Sequence, residues 1–196
     1  MKRAFGLFVP TALIFAAMPA SALAAWSIDP AHSSVAFKVR HMMVSNVRGE
    51  FTKFDGQVTY DPGAPTKSSV SVTIDASSID TGNKKRDDHL RSSDFFDVAK
   101  YPKLTFVSKK VRQVAKGLEV VGDLSIHGVT KEVVLKVEGP TSPRKNPWGK
   151  DVVGVEAETS IKRTDFGLKW NKALEAGGLL VGEEVRILIE LELNQD

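Results

Sequence analysis

One short stretch of the chain concentrates residue types that could do chemistry. Residues 86–97 read Arg-Asp-Asp-His-Leu-Arg-Ser-Ser-Asp-Phe-Phe-Asp. A histidine oriented by a carboxylate can act as a general base, and a serine beside that base can act as a nucleophile. Asp87, Asp88 and Asp94 and two serines accompany His89 here, which raises the hypothesis of an acid–base enzyme centred on His89.

The same stretch also admits a structural interpretation. Arg86 and Arg91 can pair with the neighbouring aspartates, while Leu90, Phe95 and Phe96 pack inward. The sequence contains no Gly-x-Ser-x-Gly motif, and residues so close along a chain do not necessarily face one another in a catalytic geometry. The structural interpretation accounts for more of the residues, and it predicts a lid rather than an active site.

The elements that would position this stretch are strands. Eight segments alternate apolar and polar residues with period two, which is typical of half-buried strands. Turn residues such as Asp61-Pro62-Gly63 and Lys116-Gly117 separate them, which favours antiparallel connections. The predicted strands lie at residues 33–41, 49–60, 69–74, 104–111, 118–126, 132–137, 152–161 and 183–193.

Strands of this number and length can form a sandwich or a barrel. Closure into a barrel removes the exposed edge strands that promote aggregation, so we predict an all-β fold with an eight-stranded antiparallel barrel. A short helical insert is expected around residues 82–98, as two helical turns that begin after Asp80 or Thr81. It should end before Tyr101-Pro102, because proline disfavours helix at the residue before it.

The inward positions of this barrel are apolar, and Gly122 and Gly154 add little bulk. A barrel of about eight strands can be filled by side chains or can hold one small ligand, so a packed core and an apolar tunnel both remain open. The candidate tunnel residues are Val35, Phe37, Val39, Phe95, Phe96, Phe106, Val120, Leu124, Ile126, Val153 and Val155.

Few polar residues are candidates for contact with a ligand. Arg163 can form an ion pair with Asp165 or face an anionic head group, and the sequence leaves both open. Together with Arg163, the residues Arg86, His89 and Arg91 are the candidates for head-group or lid contacts. We predict no metal site and no cofactor, because His32, His41, His89 and His127 lie on different elements without the spacing of a zinc site.

The N-terminus has the pattern of a secretory signal peptide. Lys2 and Arg3 precede an apolar run that is too short to span a bilayer, and Ala22-Leu23-Ala24 supplies small residues for cleavage. We therefore predict a signal peptide at residues 1–24, cleaved after Ala24, and one domain at residues 25–196. The mature protein is expected to be free and not integral to a membrane.

Charge and cysteine content exclude several classes of function. Loss of Lys2 and Arg3 would lower the formal charge from +3 to +1, which gives no basic surface for nucleic acid. The chain contains no cysteine, so disulfides, thiolate metal sites and a cysteine nucleophile are all excluded.

Several motifs in order along the chain resemble those of the YceI-like family. They are Trp26-Ser27-Ile28-Asp29-Pro30-Ala31-His32-Ser33, Gly49-Glu50-Phe51, Arg86-Asp87-x-His89-Leu90, Phe95-Phe96-Asp97, Gly122-Asp123-Leu124-x-Ile126-His127-Gly128 and Arg163-x-Asp165-Phe166-Gly167. The resemblance implies a periplasmic or secreted protein with an extended lipocalin-like barrel. It also implies a possible homodimer and a polyisoprenoid or other long amphiphilic lipid bound in the barrel.

The resemblance makes a periplasmic lipid-binding protein our main hypothesis, with a role in transport, storage or scavenging and without enzymatic activity. The bound lipid would be a polyisoprenoid, an isoprenoid quinone or a fatty-acid-like molecule. Two alternatives remain: an acid–base enzyme centred on His89, and a structural, stress-related protein with a filled core. A continuous cavity inside the barrel would favour the lipid-binding protein, and a filled interior would favour the structural protein.

Overall fold

The computed structural model describes residues 24–175 and 177–196. The predicted signal peptide lies outside the described residues except for Ala24, so its prediction stays a prediction. The strands are β1 (Ala24–Ile28), β2 (Ser34–His41), β3 (Ser45–Phe51), β4 (Phe54–Tyr60), β5 (Ser69–Asp75), β6 (Ile79–Asp80), β7 (Lys103–Gln113), β8 (Leu118–Ile126), β9 (Val129–Glu138), β10 (Arg144–Lys145), β11 (Asp151–Lys162) and β12 (Val181–Gln195), and one α-helix, α1, spans Lys84–Arg91.

These segments form a closed, eight-stranded antiparallel barrel, as predicted. We call each of the eight strand positions around the barrel a stave. Three staves consist of two consecutive strands each: β1 with β2, β3 with β4, and β5 with β6. The two strands of each pair hydrogen-bond to the same neighbouring stave. Every stave pairs with the next along the chain, and β12 closes the ring by pairing with β11 on one side and with β1 and β2 on the other. The barrel is therefore a simple up-and-down meander.

The interruptions of these three staves lie side by side, at residues 29–33, 52–53 and 76–78. Pro30 has no backbone N–H for a ladder bond, and a turn bond from His32 N to Asp29 O takes its place. The sequence alternation did not predict β1, because this short strand lies before the break.

The insert contains one helix followed by turns, where two helical turns were predicted. The helix N-cap is Asn83, whose side chain accepts a hydrogen bond from Arg86 N at 3.1 Å, so the prediction of Asp80 or Thr81 as the cap was wrong. Asp80 instead accepts from Gly82 N at 2.7 Å in a local turn, and the Thr81 hydroxyl binds Asp87. Asp80 and Thr81 therefore make other hydrogen bonds, in the turn that precedes the helix.

The two ends of the barrel are packed differently. The insert and the segment after β11 lie at one end, which we call the lid end. A separate cluster of buried side chains packs within the barrel toward the opposite end, which we call the far end. This cluster consists of Trp26, Ile28, Val58, Tyr60, Val153 and Leu193.

Candidate ligand-binding cavity

A cavity of about 230 Å³ lies inside the barrel. Its lining extends from Phe95 and Phe96 at the lid end to Tyr60 and Ser68 at the far end. Almost all of the lining side chains are apolar, so the wall offers shape and hydrophobic contact but very little hydrogen bonding. The barrel interior is therefore not the filled core of the structural alternative.

Ten of the eleven predicted tunnel residues line this cavity. They are Val35, Phe37, Val39, Phe95, Phe96, Phe106, Val120, Leu124, Ile126 and Val155. The eleventh, Val153, does not line it and is a correction to the prediction. Val153 points inward, but it is 1% exposed within the far-end cluster. Its neighbours in this cluster cover the Val153 side chain, and several of them line the cavity themselves.

Many lining residues were missed by the sequence prediction. They come mainly from four strands, β4, β5, β9 and β12. These strands have the same alternating pattern as those that contain the predicted tunnel residues. On each of these strands, every second residue faces the interior, and these inward positions include the missed residues. The missed residues include Val58, Val70, Val72, Val133, Leu135, Val137, Val185, Ile187, Ile189 and Leu191.

The two glycines expected to widen the interior do not do so. A Cβ at Gly122 would lie 2.5 Å from Phe106 Cζ, so this glycine makes room for the Phe106 ring rather than for a ligand. Gly154 has the opposite parity to Val153 and Val155, and its nearest contact is Thr141 at 3.6 Å. The prediction that Gly154 faces the interior was wrong.

The insert covers the lid end with aromatic side chains. The rings of Phe51 and Phe96 meet edge to face at a centroid distance of 5.7 Å. His89 packs edge to face against Phe95 at 5.1 Å and against Trp170 at 4.7 Å. Leu90 also lines the cavity. These contacts join the insert to the loop that follows β11 and support its interpretation as a lid.

Polar side chains fasten this lid to the backbone around it. Arg91 donates to the carbonyls of Ser77 at 2.7 Å and Ile79 at 2.6 Å. Arg86 donates through Nε to the Thr81 hydroxyl at 2.7 Å, and buried Asp87 accepts from the same hydroxyl at 2.5 Å. The predicted pairing of Arg86 with an aspartate was wrong, since Thr81 lies between the two charged groups.

His89 does not form a base–nucleophile pair with the serines of the insert. Its Nε2 lies 2.8 Å from Asp94 Oδ2, as the enzyme hypothesis required of an orienting carboxylate. Ser92, however, donates its hydroxyl to the backbone carbonyl of His89 at 2.7 Å rather than to the ring. The arrangement closes a turn of the lid, and among the described residues the His89 ring has a carboxylate partner but no serine hydroxyl bonded to it.

Arg163 is buried, with 4% of its surface exposed, and its guanidinium hydrogen-bonds to backbone carbonyls rather than to a carboxylate. Its guanidinium donates to the carbonyls of Gly182 at 2.9 Å, Trp170 at 3.0 Å and Val181 at 3.3 Å, and also to Leu168. Burial lowers the pKa of Arg163 from its ordinary value. The predicted ion pair with Asp165 is not among the ion pairs of residues 24–175 and 177–196.

The barrel wall is weakest between β9 and β11. These strands pair at only three positions, Glu156 with Glu138, Ala157 with Val137, and Glu158 with Lys136. Beyond them, residues 131–134 and 159–162 line a separate surface groove. We call this unpaired segment the seam. Val133, Thr159 and Ile161 line both the groove and the inner cavity, so only side chains separate the two.

One group of side chains in the described part of the chain could hold a metal ion. Asp29, His32 and Glu192 place possible ligand atoms within 4.8 Å of one another at the surface. The His32 Nδ1 lies 3.0 Å from Asp29 Oδ2, which is the turn hydrogen bond expected of a structural histidine.

An antiparallel eight-stranded barrel around an apolar cavity is the architecture of lipocalin-like binding proteins. Among the residues that the structure describes, no helix has the length and hydropathy needed to span a membrane. The family model of the YceI-like domain matches residues 26–193, and the chain belongs to the YceI-like family.

Curated relatives cover nearly the same domain. A UPF0312 protein of Staphylococcus epidermidis is 40% identical over 172 residues, which cover 87% of this chain and 98% of the relative. A UPF0312 protein of Staphylococcus aureus is 40% identical over 170 residues, with 86% of this chain and 96% of the relative covered.

Solved structures share the fold. BcnA of Burkholderia cenocepacia matches with a TM-score of 0.72 and 29% identity, over 84% of this chain and 98% of its own. A YceI protein of Campylobacter jejuni has a TM-score of 0.66 and 32% identity, with coverages of 80% and 90%. A polyisoprenoid-binding domain from Saccharophagus degradans has a TM-score of 0.62, 19% identity and coverages of 89% and 100%.

Proposed function

We propose that this protein binds one long apolar or amphiphilic lipid inside its barrel. The observation that carries the proposal is the apolar cavity, whose lining runs from the lid residues Phe95 and Phe96 to Tyr60 and Ser68. The candidate ligands are a polyisoprenoid, an isoprenoid quinone or a fatty-acid-like lipid. A structural neighbour described as a polyisoprenoid-binding domain supports the isoprenoid class.

Hydrophobic burial alone is large enough for such a complex. Burying roughly 20 chain carbons at about 0.8 kcal/mol each contributes on the order of 16 kcal/mol. Association costs roughly 4 to 15 kcal/mol in lost freedom, and ordering a flexible chain adds to this cost. A net affinity in the micromolar range therefore needs no strong polar contact. Head-group contacts would then set the orientation of the lipid more than its affinity.

Our proposal places the mature protein in the periplasm, as a carrier, store or scavenger of the lipid. The basis is the signal-peptide pattern of residues 1–24 together with the family resemblance. A homodimer is part of the same proposal. Mass measurement of the secreted protein would test cleavage after Ala24, and sedimentation would test the dimer.

The binding proposal can be tested by blocking the cavity. Ala157 lines it on β11, whereas Glu156 on the same strand points outward. We expect the purified protein to take up a C20 isoprenoid, detected as a mass increase by native mass spectrometry. Ala157→Trp should lower this uptake at least about tenfold because the indole fills the apolar space. The matched control, Glu156→Trp, should bind like the wild type.

Circular dichroism must show that both variants keep the β-sheet spectrum. Empty protein after purification, together with no uptake of any added lipid, would overturn the proposal. Equal uptake by the wild type and Ala157→Trp would show that the lipid binds elsewhere on the protein.

A further inference from the structure

A hairpin with an exposed tryptophan extends the barrel wall at the far end. Its two strands, β10 and the start of β11, pair at two positions, and β11 then runs into the far-end cluster. We call residues 141–152 the far-end hairpin. Trp148 lies in its turn and is 84% exposed, whereas Trp26 is 2% exposed and Trp170 packs against His89. Trp148 is therefore the one tryptophan whose large apolar ring is left for a partner outside the barrel.

Asn146 holds the turn of the far-end hairpin in one shape. Its side-chain oxygen accepts hydrogen bonds from Trp148 N and Lys150 N, both at 3.0 Å. Its backbone donates to Lys150 O and accepts from Gly149 N, each at 2.9 Å. Gly149 has a φ of 83°, a conformation that glycine adopts without strain. The turn thus presents Trp148 at a fixed place on the surface, and little order has to be gained when a partner binds.

The charges of the far-end hairpin are mainly positive. Its basic residues are Arg144, Lys145 and Lys150, and its one acid is Asp151. Lys145 Nζ lies 2.9 Å from Asp151 Oδ2, so these two charges offset each other. Arg144 and Lys150 are exposed, and neither belongs to an ion pair in the part of the chain that the structure describes. Two positive charges therefore accompany the exposed indole.

The acid at the end of the neighbouring strand does not pair with these charges. Asp196 follows β12, and its carboxylate accepts a hydrogen bond from the Ser27 hydroxyl of β1 at 2.7 Å. Because β1 and β11 lie on opposite sides of β12, the Asp196 carboxylate faces away from the far-end hairpin.

The surface of an anionic bilayer matches this arrangement. Tryptophan is enriched at the boundary between head groups and acyl chains, because its ring is apolar and its N–H is polar. Lysine and arginine beside it are attracted by anionic phospholipids. A second copy of the chain fits less well, since one indole buries about 150–250 Å² and a specific interface needs roughly 800 Å² on each partner.

We propose that the far-end hairpin docks the protein on bilayers that contain anionic phospholipid. Trp148 inserts at the level of the head groups, and Arg144 and Lys150 lie against the lipid phosphates. This inference goes beyond the proposed function, because it concerns the outer surface and requires no lipid in the barrel. Pro140, just before the hairpin, lines the cavity, so docking would hold the cavity close to the bilayer.

Flotation with lipid vesicles tests the proposal on the purified protein. The wild type should bind vesicles of phosphatidylcholine with phosphatidylglycerol at least about tenfold more strongly than vesicles of phosphatidylcholine alone. Trp148→Ala should lower binding to the anionic vesicles about tenfold, and Trp148→Phe should restore part of it. Arg144→Gln/Lys150→Gln should lower it about tenfold or more, since each cation contributes to the attraction.

Matched controls lie at the lid end. Met43→Ala alters another exposed apolar residue in a hairpin turn, and Lys131→Gln/Lys169→Gln removes two exposed positive charges. Both proteins should bind vesicles like the wild type. Brominated phosphatidylcholine in the anionic vesicles should quench tryptophan fluorescence in the wild type but not in Trp148→Phe, because quenching requires contact with the membrane. Circular dichroism must show that all variants keep the β-sheet spectrum.

Equal vesicle binding by the wild type and Trp148→Ala would overturn the proposal. A loss in Met43→Ala as large as that in Trp148→Ala would overturn it too, because the docking surface would then not be confined to the far end. If the wild type binds no vesicles but forms a dimer that Trp148→Ala disrupts, the partner is a second copy and the proposal fails. Uptake of a C20 isoprenoid from detergent solution by a protein that binds no vesicles would overturn the docking and leave the proposed function standing.

Discussion

The ring of Phe37 lies over Gly49 on the neighbouring strand, where a side chain would otherwise be. The two residues are paired in the β2–β3 register, and a Cβ at Gly49 would lie 2.5 Å from Phe37 Cζ and 2.7 Å from Thr81 Cγ2. Phe106 occupies the space beside Gly122 in the same way. Each glycine therefore leaves the room that the ring of the neighbouring phenylalanine occupies.

We expect Gly49→Ala to destabilise the protein by about 1–3 kcal/mol, because the new methyl group overpacks the Phe37 ring. The matched control is Gly154→Ala, also within a strand, where the nearest atom to the new Cβ is 3.6 Å away. That change should be neutral or slightly stabilising, since alanine restricts the unfolded chain more than glycine does. Urea unfolding measures both variants, and equal stability of the two would contradict the Phe37–Gly49 packing.

Much of the barrel could be predicted because its determinants are local. A strand with one face inside must alternate apolar and polar residues, and this alternation predicted the eight strands of the barrel and part of the cavity lining. It does not show which inward side chains are covered by their neighbours, which is why Val153 was placed in the cavity. The break between β1 and β2 was also missed, because only the pairing with distant β12 shows that the stave continues.

The contacts of the lid depend on residues far apart in sequence. His89 packs against Trp170, and Arg163 reaches carbonyls on a loop that folds back after it. A motif shows which side chains are present but not which loop will lie against them. The ionic residues of the insert were therefore recognised as important, while Thr81 and Trp170 were not identified as their partners.

The buried guanidinium of Arg163 gives a second prediction. Arg163→Met removes the donor to four backbone carbonyls and leaves these acceptors without a partner inside the protein. We expect a loss of at least about 3 kcal/mol in the free energy of unfolding. Proteolytic cleavage after Lys169 or Lys172 should also become faster, because the loop loses its anchor.

Arg186→Met serves as the control for Arg163→Met. Arg186 forms an exposed ion pair with Glu158 on the neighbouring strand, and such pairs contribute about 1 kcal/mol or less. Thermal unfolding of both variants makes the comparison. An Arg163→Met protein as stable and as protease-resistant as the wild type would show that the four carbonyls find other partners.

A third prediction concerns pH and the exposed pair of His32 and Asp29. The hydrogen bond to Asp29 raises the pKa of His32 above its ordinary 6.5, with Glu192 adding to the effect. The same hydrogen bond lowers the pKa of Asp29 below its ordinary 3.8. The stabilisation is lost as pH rises through the raised pKa of His32, and as pH falls through the lowered pKa of Asp29. It is greatest between pH 3.8 and pH 6.5.

We therefore expect wild type and His32→Gln to differ in melting temperature at pH 5.5 and to converge at pH 9. The effect should be small, because the pair is largely exposed and salt screens it. The double variant Asp29→Asn/His32→Gln should differ from Asp29→Asn alone only by the smaller contribution of Glu192 to the pKa of His32. A difference in melting temperature between wild type and His32→Gln that increases toward alkaline pH would contradict the predicted pH dependence.

The fourth prediction concerns the seam between β9 and β11. The lid covers one end of the barrel and the Trp26 cluster packs toward the other, whereas the seam lacks backbone pairing beyond Glu158 and Lys136. Wall segments with few hydrogen bonds open at the lowest cost, so we expect lipid to exchange through the seam. Because the chain contains no cysteine, an engineered pair can be cross-linked cleanly.

Val134→Cys/Ser160→Cys places two outward thiols across the seam, joined by a short bismaleimide. This cross-link should slow the release of a bound fluorescent lipid by about tenfold or more, because the barrel would then have to open where its strands are hydrogen-bonded to one another. Glu138→Cys/Glu156→Cys is the matched control, because it joins the same two strands where they are already paired. Its cross-link should leave the release rate almost unchanged. Equal release rates from both cross-linked proteins would instead place the exit at the lid, where Phe95 and Phe96 would have to move aside.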